Sequence, residues 1–299
     1  MGMLAELADS FAEVKDSFEE AADVLGYDLW QIVKNGPEEE LNRTHITQPA
    51  MLVAGIAIWR IWRAQGGALP AIMAGHSLGE YTALVAADSM TLADAVTLVA
   101  ERGRFMQDAV PAGLGAMAAI LGLEDEKVIQ VCAQAAQDEV ASAVNFNSPG
   151  QVVVAGNTAA IERTVELAKE AGAKRALLLP VSVPSHCSLM MPAADRLAER
   201  LANITIGPPT VPVLNNVDVK AEQDADLIRD ALKRQLFCPV RWVEIIESFA
   251  GQGIQHIVEC GPGKVLAGLN KRIKRDLDSY STLDTASLNK ALETLKQGG

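Results

Sequence analysis

Apolar residues recur at helical spacing through the first turns of the chain: Leu4, Leu7, Phe11, Val14 and Phe18 share one face, and Gly26 follows. A period near 3.6 residues marks an amphipathic helix, and glycine supplies the left-handed residue that stops one, so a helix is predicted over 3–25. A second helix is predicted over 46–66, "ITQPAMLVAGIAIWRIWRAQG", with Thr47 near its cap and Gly66 at its end. So continuous an apolar run implies burial on most sides. "PAIMAG" at 70–75 is a short apolar run behind Gly66, Gly67 and Pro70, the pattern of a buried strand. "GEYTALVAADSM" and "TLADAVTLVAERGRFMQDAV" follow as helices, the second capped by Thr91 and closed ahead of Pro111. A strand between helices predicts a parallel α/β core.

Residues 115–181 carry a different order. "GAMAAILGL" reads as a strand, "DEKVIQVCAQAAQ" as a helix, and "VASAVNFN" and "QVVVAGN" as strands either side of the Ser148-Pro149-Gly150 turn. "AAIERTVELAKEAG" then reads as a helix and "KRALLLPVS" as a strand. The order β-α-β-β-α-β is the ferredoxin-like signature and predicts a compact subdomain inserted into the core. Beyond it come a helix near 189–204, a strand at "TVPVLNN", helices over 224–237 and 242–253, and the strand "IQHIVEC" running into Gly261-Pro262-Gly263. The boundaries expected are 1–110 with 184–299 for the core and 111–183 for the subdomain.

Composition narrows the class. The 299 residues are 49% hydrophobic and 21% charged, which suits a well-formed globular core. "AMLVAGIAIW" stops at Arg60, short of a membrane span, and the start has no basic-then-apolar leader, so a cytoplasmic protein with no membrane partner is expected. Cys132, Cys187, Cys238 and Cys260 form no Cys-x-x-Cys pair, so neither a metal site nor a disulfide framework is expected. A net charge of -12 argues against nucleic acid as a partner, because sequence-independent binding needs excess Lys and Arg.

The candidate chemistry lies at Gly75-His76-Ser77-Leu78-Gly79. A Gly-x-Ser-x-Gly run between a strand and a helix is a nucleophile elbow, which exposes the serine hydroxyl on a strained turn. A capping serine on a glycine-rich turn is the alternative. An elbow serine needs a base, and the chain has four histidines. His45 falls in a polar loop before a helix, and His256 inside an apolar strand as a satisfied core residue. His76, next to the serine, is expected to point to the opposite face and support the elbow from beneath. His186 remains, in "PVSVPSHCSL", where the inserted segment returns to the core. The alternative for it is a solvated loop residue.

Several motifs in one order carry a resemblance. Gly75-His76-Ser77-Leu78-Gly79-Glu80, "ERGRFMQ" with Arg102, "VPSH" with His186, "TQPA" at 47–50, "NFNSPGQVVVAG" at 145–156, "FCPVRW" at 237–242 and "ECGPGKVLAGL" at 259–269 together resemble the bacterial malonyl-CoA:acyl carrier protein transacylases. The match runs from Met1 to about residue 290. It implies an α/β-hydrolase-like core with a parallel sheet and the ferredoxin-like insert. It also implies transfer of a malonyl group from coenzyme A to the phosphopantetheine thiol of acyl carrier protein in fatty acid biosynthesis, with no cofactor and no metal, by a monomer. Ser77 would form the malonyl ester and His186 would move the proton. Arg102 would hold the malonyl carboxylate, since a guanidinium binds both oxygens and stays charged when buried. The Gln235 backbone carbonyl would orient the histidine, the Leu78 amide would face the oxyanion, and Gln48 and Asn145 would line the pocket. "NKRIKR" at 270–275 is the densest positive cluster, suited to an acidic carrier, although a solvated helix face explains it too.

One departure shapes the expectation. The resemblance implies a first strand ending in a Gly-Gln-Gly loop, whose glutamine amide is a second oxyanion donor, ahead of the helix over 3–25. The sequence given begins after that loop, so a sheet one strand short, a single donor at Leu78 and weak turnover are expected. Three readings follow: the transacylase, a serine esterase or patatin-like hydrolase, and an N-terminally truncated acyltransferase-like chain with little activity.

Overall fold

The computed structural model describes residues 1–181 and 183–296. Ser182, the last residue of the strand predicted at 174–182, lies outside the described residues, as does the end of the core segment 184–299. The opening helix is broken in two, α1 (Ala5–Ser10) and α2 (Ala12–Leu25), because Phe11 turns to extended backbone at φ −133°. Gly26 closes α2 at φ 76°, the left-handed stop that the periodicity anticipates. Two short helices then occupy the charged stretch that carries no long apolar period. These are α3 (Leu29–Asn35), capped by the Asp28 carboxylate, and α4 (Glu38–Leu41).

The apolar helix α5 (Thr44–Ala64) starts earlier than the sequence suggests. Thr47 is therefore not its cap: it lies inside the first turns and donates its hydroxyl back to the Leu41 carbonyl at 2.5 Å. His45 is likewise in the helix rather than in a loop before it. A short strand β1 (Met73–Ala74) leads into α6 (Gly79–Ala86), and Thr91 caps α7 (Leu92–Ala109) by accepting from the Asp94 amide. Helices α5 and α7 approach so closely that a Cβ on Gly103 would stand 2.6 Å from the His45 Cα. That glycine lets Arg102 reach across to α5.

The next segment follows the predicted order: β2 (Gly115–Leu121), α8 (Asp125–Ala136), β3 (Ala141–Ser148), β4 (Gln151–Asn157), α9 (Thr158–Glu170) and β5 (Arg175–Leu178). The four strands form one antiparallel sheet in the order β3-β4-β2-β5. Its buried face packs on the two helices through Ile120, Val128, Val152, Val154 and Ile161, an apolar cluster drawn entirely from this segment.

The remainder is α10 (Met191–Leu201), β6 (Val213–Leu214), α11 (Ala225–Gln235), α12 (Trp242–Gly251), β7 (His256–Glu259), α13 (Val265–Ile273), β8 (Asp278–Ser281) and α14 (Thr285–Lys296). Strand β1 pairs with β6 and β7 with β8, both in parallel, so the core contains two ribbons where one parallel sheet was expected. Both ribbons are covered by the same two apolar cores. Met73, Val213, Val258 and Tyr280 face the large helical core, while Ala74, Leu214 and Ile257 face a second core built on Trp242, Ile245 and Phe249. Among the described residues no strand pairs with the second edge of β1 or of β7. His256 opens β7 as an exposed residue with its ring 3.6 Å from the Asp278 carboxylate, so the expected core histidine is a strand-end one. No helix among the described residues is long and apolar enough to cross a membrane.

Candidate active site

The run around Ser77 joins β1 to α6 through a turn that leaves no room for side chains. A Cβ on Gly75 would fall 1.9 Å from the Gly79 carbonyl carbon, which explains the first glycine of the motif. Ser77 is held at φ 50°, a left-handed conformation that costs a non-glycine residue about 1–3 kcal/mol and persists only where neighbours enforce it. The enforcing neighbour is Asn216, just beyond β6. Its Oδ1 accepts from the Ser77 amide at 2.7 Å, and its Nδ2 donates to the Gly75 carbonyl at 2.7 Å.

His186 stands opposite, also at positive φ (66°), with its amide tied to the Leu236 carbonyl at 2.9 Å. Its Nδ1 lies 2.7 Å from the Gln235 backbone oxygen, and its Nε2 lies 2.8 Å from the Ser77 Oγ. A carbonyl can only accept, so Nδ1 carries the proton and Nε2 presents a lone pair to the serine hydroxyl. Burial, reinforced by the nearby Arg102 charge, lowers the His186 pKa to about 3, so the ring is neutral at physiological pH. The base is oriented by an uncharged group.

Arg102, only 2% exposed, projects from α7 into the same space. Its Nη1 donates to the Gln48 Oε1 at 2.6 Å, and its Nη2 to the Gln235 Oε1 at 3.1 Å and the Ser77 Oγ at 3.4 Å. The guanidinium lies over the Tyr81 ring, 5.4 Å from its centroid. Its Nε is buried with no partner among the described residues. Among the described residues no carboxylate is paired with it directly, so the charge is held by amide oxygens and a ring face and stays open to an incoming anion. Arg104, two residues on, is exposed.

Leu78 begins the last turn before α6, and its N–H donates to no acceptor among the described residues. A free amide at a helix N-terminus beside a nucleophile is suited to an oxyanion. Thus Ser77, His186, Arg102, Gln48, Gln235 and Leu78 converge. Asn145 is buried in β3 and bridged through backbone to Val240, and among the described residues its side chain makes no hydrogen bond to this cluster. The His76 Nε2 meets the Asn147 Oδ1 of β3 at 2.8 Å and its ring lies against Trp242, tying the elbow to the four-stranded antiparallel sheet and to the second core. No group of metal-ligating side chains occurs among the described residues.

Residues 1–290 match the acyl transferase domain family. The malonyl CoA-acyl carrier protein transacylase of Salmonella typhimurium is 58% identical over 292 residues, 98% of this chain and 94% of that protein. The chain belongs to the acyl transferase family of malonyl CoA-acyl carrier protein transacylases. The crystal structure of an acyl carrier protein S-malonyltransferase from Vibrio cholerae superposes with a TM-score of 0.95 at 58% identity, covering 97% of this chain and 95% of that one. A malonyl-transacylase in complex with a type II PKS acyl-carrier protein superposes at 0.97 with 56% identity, over 98% and 95% of the two chains.

Two residues of this transacylase escape a reading of the sequence. Glu80 reads as a first-turn acid suited to the helix dipole, yet it is 2% exposed, and burial raises its pKa to about 7. Asn216 had a usable signal: it follows an apolar strand parallel to the one before the elbow, and such strand ends share one edge of a layer.

Proposed function

We propose that this chain moves a malonyl group from coenzyme A to the phosphopantetheine thiol of acyl carrier protein through a malonyl-Ser77 ester. The observation that carries the reading is the convergence on one hydroxyl of a neutral base at 2.8 Å and, at 3.4 Å, a guanidinium held by amide oxygens rather than by a carboxylate. Ser77 Oγ attacks the thioester carbonyl as its proton passes to His186 Nε2, and the oxyanion forms at the Leu78 N–H. The C–S bond breaks, His186 returns the proton to the coenzyme A sulfur, and the carrier thiol runs the same steps in reverse. Arg102 takes the malonyl carboxylate while Gln48 and Gln235 hold its fork in place, and Asn145 would line the pocket. A serine esterase is not favoured, because the family match covers nearly the whole chain and a hydrolase of simple esters has no use for a buried cation beside its nucleophile.

The same reading extends to architecture. Residues 111–183 are proposed as a ferredoxin-like subdomain, supported by their strand order and their own apolar core, and 1–110 with 184–299 as an α/β-hydrolase-like core. The open edges of β1 and β7, covered by the same two apolar cores, suit a further parallel strand ending in a Gly-Gln-Gly loop. Its glutamine amide would then stand beside Leu78 as the second oxyanion donor.

The carrier is proposed to dock where α13 ends. Lys271, Arg272, Lys274 and Arg275 are all exposed there, and Arg272 reaches the Gln151 side chain at the edge of the inserted subdomain. The test is a two-stage label experiment. Malonyl-CoA labelled in the malonyl group is expected to load Ser77, and the label is expected to discharge to holo-carrier much faster than to water. Reversing Lys271 and Lys274 to Glu is expected to slow discharge, more so at low salt, with loading preserved. Loss of the label to water at the same rate with or without carrier would overturn the reading.

Arg102→Ala supplies an independent check. It removes the anion's partner and leaves the amide oxygens of Gln48 and Gln235 without their donor, which breaks a buried charged network. Malonyl loading is expected to fall about a hundredfold or more, and acetyl loading far less, so the malonyl-to-acetyl ratio should collapse. An unaltered ratio in competition labelling would remove Arg102 from this role.

A further inference from the structure

Three chain segments meet at one carboxylate oxygen. The Oε2 of Glu80 accepts from the Asn216 backbone amide at 2.9 Å and from the Gln235 Nε2 at 2.8 Å. Its two neighbours are those that shape the site. Asn216 spans the elbow, bonded to the Ser77 amide and the Gly75 carbonyl. Gln235 holds the His186 Nδ1 with its backbone oxygen and the Arg102 Nη2 with its side-chain oxygen, and its Nε2 also donates to the Ser77 carbonyl at 2.9 Å.

We infer that Glu80 is a positioning residue for the transfer, the shared acceptor through which the nucleophile elbow, the base and the anion-binding arginine are kept in one register. The logic is one of donor and acceptor signs. A carboxylate only accepts and a guanidinium only donates, so the Gln235 amide has a single orientation between them. Turned over, its oxygen would face the Glu80 carboxylate and the Ser77 carbonyl, and its NH₂ would face Arg102. Every contact would then be repulsive. Without Glu80, the Gln235 NH₂ keeps only the Ser77 carbonyl of its two acceptors, and the Asn216 N–H loses its acceptor at the same time, so the link between the elbow and the strand end beyond β6 is loosened.

The placement also has no simpler structural reason. A first-turn acid interacts with the helix dipole equally well from the surface, whereas burying a carboxylate is costly unless its hydrogen bonds require it. Glu80 makes no salt bridge among the described residues, and its burial, which pushes its pKa up to about 7, is opposed by the hydrogen bonds from Gln235 and Asn216. Arg102 acts on it from the far side of the Gln235 amide.

This role rests on the transfer reading for its acyl-preference readout, so the test carries one readout that does not. Glu80→Ala and Glu80→Gln are compared with the parent chain by the rate at which a fluorophosphonate modifies Ser77, normalised to folded sites. Malonyl-to-acetyl preference is measured by competition labelling. Glu80→Ala is expected to slow modification of Ser77 about tenfold to a hundredfold and to narrow the acyl preference. Glu80→Gln, whose amide oxygen can stand where Oε2 stands, is expected to recover most of both losses. A Glu80→Ala protein of lower melting temperature but parental per-site reactivity would make the residue structural only, and a Glu80→Gln protein as impaired as Glu80→Ala would overturn the acceptor role. If malonyl-CoA leaves the parent unlabelled while fluorophosphonate reactivity still follows Glu80, the positioning role stands and the malonyl substrate falls.

Discussion

Ser77→Ala is expected to leave no acyl group on the protein after incubation with malonyl-CoA, with melting temperature almost unchanged. In the proposed reaction the hydroxyl is the atom that bonds to the acyl carbon, and it is the one placed 2.8 Å from the His186 Nε2. The backbone bonds that hold the elbow do not involve the side chain: Asn216 grips the Ser77 amide, and the Gln235 Nε2 grips its carbonyl. Alanine keeps the same positive φ and the same main-chain partners, so the change in stability should stay within about 1 kcal/mol. Peptide mass spectrometry after malonyl-CoA treatment decides the matter. An acyl group found on any residue of the Ser77→Ala protein would show that the elbow is not the acceptor.

His186→Ala is expected to slow both loading and discharge by about 10²- to 10⁴-fold, because in the proposed reaction one base serves the two half-reactions. A drop in one half-reaction alone would assign the proton transfer elsewhere. The same substitution has a signature in stability. The folded histidine stays neutral down to a pKa of about 3, against the ordinary 6.5, so below pH 6.5 the unfolded chain binds a proton that the folded one refuses. Stability from this group is therefore present above pH 6.5 and lost as pH falls from there towards 3. Glu80 has the opposite sign. Its folded pKa is raised from 4.5 to about 7, so its burial costs stability at alkaline pH and the cost shrinks as pH falls through 7. Between pH 4.5 and 6.5 the two oppose each other in the parent chain. His186→Ala removes one of them, and its melting temperature should rise relative to the parent's as pH is lowered through that window. Parallel melting curves across pH 5 to 7 would contradict the neutral, desolvated base.

What could be read from the sequence was local. The elbow is visible because its glycines answer to a collision only a few residues away, between Gly75 and Gly79. The turn at Ser148-Pro149-Gly150 fixes the start of β4 at Gln151 as predicted, since a turn of that chemistry leaves little latitude. The break at Phe11 and the short helices over 29–41 depend on how neighbouring segments pack, and the apolar period does not record that. His256 was misplaced for a similar reason: an apolar run does not show which of its residues reaches the open end of the strand. Glu80 was the hardest to see. Its partners Asn216 and Gln235 lie more than a hundred residues away along the chain, and only the assembled layer brings them to one oxygen.

The Arg102 guanidinium, held by amide oxygens and by no carboxylate among the described residues, matters for the choice of buffer. A positive charge beside the proposed nucleophile, held by acceptors too weak to neutralise it, attracts any small carboxylate in the surrounding solution. Acetate, formate, citrate or free malonate would compete for the place of the acyl carboxylate, and each would lower the apparent affinity for malonyl-CoA by simple mass action. Rate constants obtained in carboxylate buffers would then describe a partly occupied protein, and those obtained in zwitterionic buffers the open one.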